Sequence, residues 1–163
     1  MKNMKEEIAC FAMGCFWTPQ LIFGKISGVI KTEVGYMGGE EKKENYTYED
    51  VLTDKTGHAE VVRVFYDSNI ADYNQLLDIF WKNHDPTQMN RQGPDVGTQY
   101  RTAIFYYSEE QKKKAEKSKI EFQKHTKGKI VTEIAKAGKF YKAEDYHQNY
   151  LKKRGLESCH INY

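Results

Sequence analysis

Cysteine and proline are scarce in this chain, and its charge is nearly balanced. Three cysteines in 163 residues, with no C-x-x-C pair, give neither a disulfide framework nor a zinc site. Three prolines and no tract rich in Pro, Gly or Ser leave no linker, so a single domain over residues 1–163 is expected. No apolar run approaches a membrane span. A formal net charge of +2 argues for neither nucleic acid nor a lipid surface, and neither is expected as a partner. The apolar stretch 8–13 is short and ends in Gly14-Cys15, unlike a signal-peptide cleavage site, which makes a cytoplasmic location the default expectation. No P-loop, no GxGxxG after a strand and no HExxH occur, so a nucleotide or metal reading has no basis and no metal is expected.

Hydrophobic residues make up 39% and aromatic ones 13%, enough for a core despite the many Lys and Glu. Apolar patterning predicts strands at 8–13, 29–36, 58–66, 101–107 and 131–135. Helices are expected from Thr18 and Pro19 to about 25, from an Asp72–Gln75 capping box to about 83, from a Ser108–Gln111 box to about 125, and over 143–152. Residues 40–54 read as a long polar loop with a helical turn. The leading order is strand, helix, strand, strand, helix, strand. That order predicts an α+β fold, a ferredoxin-like two-layer α/β sandwich with a split βαβ core and extra C-terminal segments.

Chemistry concentrates in a few places. Cys15 follows a strand and precedes a helix, where unpaired N–H groups and the helix dipole favour a thiolate; the alternative is a small buried core residue. Phe16 and Trp17 beside it can form an apolar wall for a methyl or thioether group, or simply anchor the core. In Thr56-Gly57-His58-Ala59-Glu60, His58 and Glu60 share one side of a strand. An inward Glu60 is costly unless protonated or paired, and so suits a general acid; otherwise it is a surface residue at a strand edge. His58 is either the base of a Cys–His pair or structural. Asp95 lies in the turn-rich run Gly93–Tyr100 before a strand, and Tyr46, Tyr48 and Tyr100 are neutral donors able to bind an oxygen atom.

These stretches also carry a resemblance. Gly14-Cys15-Phe16-Trp17, Gly35-Tyr36-Met37-Gly38-Gly39, Tyr46-Thr47-Tyr48, Thr56-Gly57-His58-Ala59-Glu60, Phe80-Trp81-Lys82-Asn83-His84-Asp85-Pro86, Gly97-Thr98-Gln99-Tyr100-Arg101, Phe140-Tyr141 and Ala143-Glu144-Asp145-Tyr146-His147-Gln148 occur in order along nearly the whole chain. The set resembles the A-type peptide methionine sulfoxide reductases. The resemblance implies thiol-dependent reduction of methionine S-sulfoxide, protein-bound or free, with no cofactor. Residue by residue, it implies Cys15 as nucleophile, Phe16 and Trp17 as the grip on the substrate methyl, and Glu60 as the acid that protonates the sulfoxide oxygen. Tyr48 and Tyr100 match its hydrogen-bond donors and Asp95 a supporting polar residue. Thr18 and Gln20 depart from the glycine and glutamate common in the family.

A Cys15 sulfenic acid left by that reaction needs a second thiol. Cys10 sits in the stiff strand 8–13 and cannot fold back to the adjacent turn. Cys159 follows the last helix near the C-terminus, beside His160, and the short tail with one cysteine also looks like the single-resolver form of the family. Cys159 is therefore the expected resolving thiol, thioredoxin or a similar dithiol the expected reductant, and a monomer the expected state. The rival enzyme is a Cys–His acyl hydrolase using Cys15 and His58. A binding module that grips oxidised methionine without turnover is the rival outside catalysis.

Overall fold

The computed structural model describes residues 3–156. It has a six-stranded sheet and few helices. In chain order the elements are β1 (Glu6–Met13), α1 (Trp17–Gly24), β2 (Val29–Met37), α2 (Tyr48–Leu52), β3 (Ala59–Asp67), α3 (Tyr73–Lys82), β4 (Arg91–Gln92), β5 (Asp95–Val96), a 3-10 turn (Thr98–Tyr100), β6 (Thr102–Tyr106), α4 (Glu109–Gln123), β7 (Glu133–Lys136), β8 (Tyr141–Lys142), a second 3-10 turn (Asp145–His147) and α5 (Tyr150–Lys153). The strands lie in the order β7-β6-β1-β3-β2-β8, each antiparallel to its neighbour except β7, which runs parallel to β6. β4 and β5 form a separate two-stranded hairpin.

Alternation along the central strands divides the core in two. Ala9, Phe11 and Met13 of β1 share one face with Val62, Val64 and Tyr66 of β3, where they meet Phe23 of α1, Leu76, Leu77 and Phe80 of α3, and Ala115 of α4. Phe11 stacks on Phe23 and Phe80 with ring centroids 5.2 and 5.4 Å apart. On the opposite face, Cys10, Ala12, Met37, Ala59, Val61, Ala103 and Phe105 form a smaller cluster against Ala135, Ala137 and Phe140. Five buried residues of α3, Tyr73, Leu76, Leu77, Phe80 and Trp81, explain its strong amphipathic pattern and its clear signal in sequence.

Local chemistry sets most boundaries. Thr47 and Asp50 form a reciprocal capping box that starts α2 in the polar loop. Asp72 caps α3 by accepting from Asn74 N, and Ser108 caps α4 by accepting from Gln111 N. The Gln111 side chain reaches past the cap instead of closing a box: its oxygen accepts from Tyr107 N and its nitrogen donates to Ile8 O, pinning α4 to β1. Helix α1 begins at Trp17, with Phe16 as its cap residue, so Thr18 is not the cap; Pro19 still falls in the first turn, where its missing N–H costs nothing.

The C-terminal third differs from the expected helix over 143–152. Asn149 takes a left-handed backbone (φ 54°) that divides this stretch into a 3-10 turn and the one-turn α5. Side chains replace helical bonds there. Gln148 accepts from Val34 N and donates to Val34 O and Ala143 O, adding its amide to the free edge of β2. β8 docks beside it at Gly35, where any Cβ would lie 2.3 Å from Tyr141 O. This docking carries the Ala143–Gln148 run back over α1.

Candidate active site

The turn after β1 is built around Gly14, whose φ of 88° and contact with the Gln92 side chain both exclude a larger residue. Cys15 follows, half-buried, one residue before the helix cap. The start of α1 then faces β3. Phe16 N donates to Glu60 Oε1 at 3.2 Å. Glu60 lies opposite Tyr36 in the β2–β3 register and is 1% exposed.

One cavity of about 120 Å³ collects Cys15, Phe16, Trp17, Tyr48, Glu60, Asp95 and Tyr100, together with His147. Every described residue to which the family resemblance gave a role lines it, whereas the other candidates, His58 and Tyr46, do not. Five separate elements deliver those that do: the β1–α1 turn with the start of α1, the first residue of α2, the second of β3, the first of β5, and the last of a 3-10 turn. Phe16 is 1% exposed and tilts against Tyr36, with centroids 5.8 Å apart. Trp17 is half-buried and stacks flat on Tyr150 at 3.7 Å, with the Arg154 guanidinium also over that ring at 3.7 Å. The Tyr48 and Tyr100 hydroxyls hydrogen-bond to each other. Burial, and then the Glu60 carboxyl beside them, push both phenols up, so each stays a neutral donor at ordinary pH.

His147 received no role from its residue type and spacing; the only signal was its place in the Ala143–Gln148 run. It is 1% exposed and lines the cavity. Its Nδ1 accepts from Trp17 Nε1 at 3.0 Å, which places the proton on Nε2. Burial pushes its pKa down, so the ring is neutral near pH 7, and Nε2 has no hydrogen-bond partner among the described residues. Glu144 is the second residue missed. Its carboxylate accepts from Tyr36 Oη (3.1 Å), Tyr48 N (3.1 Å) and Tyr146 Oη (3.2 Å), and thereby ties the C-terminal run to the start of α2.

His58 does not line the cavity. It is fully buried between Tyr46 and Tyr141, and its Nδ1 accepts from Gly39 N at 3.0 Å. A Cys15–His58 pair is thus not formed, and the acyl-hydrolase reading loses its base. Tyr46 likewise turns away, between Lys42 N and Glu40. Cys10 is fully buried on the other face of the sheet, its Sγ 3.8 Å from Met37 Sδ, and burial pushes its thiol far up. Cys159 lies outside the described residues.

A thiol at a helix start, a ring-lined slot and a buried carboxyl with two phenols define a thiol-dependent enzyme for a small polar group on an apolar stem. Comparison with other proteins names the class. The model of the peptide methionine sulfoxide reductase family matches residues 7–163. The peptide methionine sulfoxide reductase MsrA of Methanothermobacter thermautotrophicus is 52% identical over 159 residues, covering 96% of this chain and 93% of that protein. Mxr1 from Saccharomyces cerevisiae in reduced form superposes with a TM-score of 0.88 at 35% identity, over 99% of this chain and 93% of that one. The structure of Mxr1 in complex with Trx2 gives 0.64 at 26% identity, over 92% and 89%. The chain belongs to the peptide methionine sulfoxide reductase family, and it is an oxidoreductase.

Proposed function

We propose that the chain reduces the S epimer of methionine sulfoxide, in proteins and free, through a Cys15 sulfenic acid that Cys159 resolves and thioredoxin recycles. The observation that carries this reading is the convergence of Cys15, Glu60, Tyr48 and Tyr100 on one cavity walled by Phe16 and Trp17. The Cys15 thiolate attacks the sulfoxide sulfur while Phe16 and Trp17 hold the methyl. Negative charge grows on the oxygen, Glu60 supplies its proton, and the Tyr48 and Tyr100 hydroxyls donate hydrogen bonds to it. Asp95 supports the polar side of the site. The protonated oxygen then passes from the substrate sulfur to Cys15 Sγ as the newly formed bond between the two sulfurs breaks, so methionine leaves and Cys15 is left as a sulfenic acid. The Cys159 thiolate then displaces that oxygen as water, forming a Cys15–Cys159 disulfide, which an external dithiol reduces by exchange. The Trx2 complex of Mxr1 supports thioredoxin as that dithiol.

The same reading includes a monomer in the cytoplasm acting without nucleic acid or membrane. No helix among the described residues is long and apolar enough to cross a membrane. The β6-β1-β3-β2 order of antiparallel strands, with α1 and α3 as crossovers on one face, supports a ferredoxin-like description of the core.

Turnover with each epimer of a methionine sulfoxide peptide, with dithiothreitol as reductant, tests the site. With the thiol, the methyl slot and the oxygen donors all fixed, only one handedness aligns, so the S-sulfoxide is consumed and the R form is left. Comparable rates on both epimers would sink this geometry. Acyl-enzyme accumulation with esters and no reductant requirement would restore the hydrolase.

A further inference from the structure

Tyr48 and Tyr100 reach the cavity from different elements, and one residue outside the cavity ties those elements together. Asp54 follows α2 with a left-handed backbone, φ 64°, a conformation that few residues besides glycine, asparagine and aspartate accept. Its N–H donates to Val51 O at 3.1 Å and closes α2, the five-residue helix that opens with Tyr48. Its carboxylate oxygen Oδ1 accepts from Thr98 N at 2.8 Å and also from the Thr98 hydroxyl. Thr98 is the first residue of the 3-10 turn that ends in Tyr100, and the residue before it, Gly97, has no side chain to cap that turn. Asp54 thus ends one element and caps the next across 44 residues of chain.

We propose that Asp54 is a positioning residue for sulfoxide reduction, fixing the spacing of Tyr48 and Tyr100 by closing α2 and capping the Thr98–Tyr100 turn at once. It rests on the reading that both tyrosines donate to the sulfoxide oxygen. Asp54 lines no part of the cavity and is solvent-exposed, so it acts through the phenols and not on substrate. The Thr98 bonds hold its carboxyl below the usual range, which keeps the acceptor ionised at neutral pH. Hydrogen bonds to a developing oxyanion are directional, so a small shift of either phenol costs rate out of proportion to stability.

The test measures methionine released in a single turnover with saturating S-sulfoxide, beside the melting temperature. Asp54→Gly keeps the left-handed backbone without strain and deletes the carboxylate. Asp54→Asn keeps an acceptor oxygen. The Asp54→Gly rate should fall roughly tenfold with little change in melting temperature, and Asp54→Asn should recover most of it. In a Tyr100→Phe background, Asp54→Gly should cost nothing further, because it keeps the backbone bond that closes α2 and the donor positioned by the lost carboxylate is already gone. Thr98→Ala leaves the Asp54 backbone alone and gives a second route should Asp54→Gly lower stability; its smaller loss should also vanish with Tyr100→Phe. A full-rate Asp54→Gly, or losses that multiply with that of Tyr100→Phe, overturns the proposal. If Tyr100→Phe alone keeps the full rate, the tyrosine reading itself fails and the proposal falls with it.

Discussion

Glu60 shows how a carboxyl can be both buried and useful. It is 1% exposed, yet the first N–H of the α1 turn points at it and two neutral phenols share its cavity. Glu60→Gln preserves shape and removes the proton, so substrate should still bind while the single-turnover rate falls by about 10²–10⁴-fold. Near-normal single turnover at neutral pH would strip Glu60 of the acid role. Tyr48→Phe and Tyr100→Phe should each cost less, since each removes one donor of a set. A different histidine governs stability. His84 Nδ1 contacts Phe80 O and Nε2 contacts Thr102 Oγ1, both at 2.7 Å, and burial lowers its pKa to about 4. The unfolded chain binds this proton more readily, so the folded state loses stability as pH falls from about 6.5 toward 4. The loss should be on the order of 3 kcal/mol. Denaturant unfolding at pH 7 and pH 4 should show that drop in the wild type and a smaller one in His84→Gln; equal drops would assign the acid sensitivity elsewhere.

Helix α1 is held at its start by Glu60, and Gln20 joins it to the chain that follows β8. Gln20 is 2% exposed; its Oε1 accepts from Asn149 N at 2.7 Å and its Nε2 donates to Thr32 O at 3.3 Å. The amide is the right group here because it offers one acceptor and one donor. Gln20→Glu keeps the first bond but sets a carboxylate oxygen against the Thr32 carbonyl. Stability should drop by about 1–3 kcal/mol, while the chemical step stays within about an order of magnitude. Thr18→Gly should likewise leave the chemical step within that range, since neither side chain takes part in it. Stopped-flow single turnover beside thermal melting separates the two effects. A collapsed chemical step in folded protein would make either residue part of the mechanism.

Across the whole molecule the sheet decides which thiols can meet. Cys15 opens onto the helix-side cavity, whereas Cys10 is sealed on the opposite face against Met37. Joining them would require the sheet to open, so Cys10→Ser should behave as wild type. Cys159→Ser should release one equivalent of methionine per chain and then stall with thioredoxin as reductant. Peptide mapping of the oxidised protein should find Cys15 joined to Cys159. A Cys15–Cys10 bond, or a stable sulfenic acid with Cys159 reduced, would refute the assignment.

The sequence by itself determined the parts whose signals are local. Alternating β-branched residues marked β3, the apolar face of α3 and the Ser108 cap of α4 marked those helices, and the Gly-Cys turn before a Pro-bearing helix marked the thiol. Cys15, Phe16, Trp17, Glu60, Tyr48, Tyr100 and Asp95 were legible as candidates because each residue type suits the chemistry and the motif order agreed. Tertiary structure decided what depends on contacts distant in sequence. The stretch 143–152 has helical composition, but the Gln148 amide finds Val34 at the edge of β2, 114 residues away, and the helix breaks at Asn149. β8 and the β4–β5 hairpin are two residues per strand, too short for any periodicity to show. In the sequence only His58 stood out as a partner for Cys15, and nothing local gave His147 a role. Only the packing turns His58 toward Gly39 and brings His147, 130 residues from Trp17, within a hydrogen bond of its indole, because side-chain direction follows from which strands and turns meet, not from residue type.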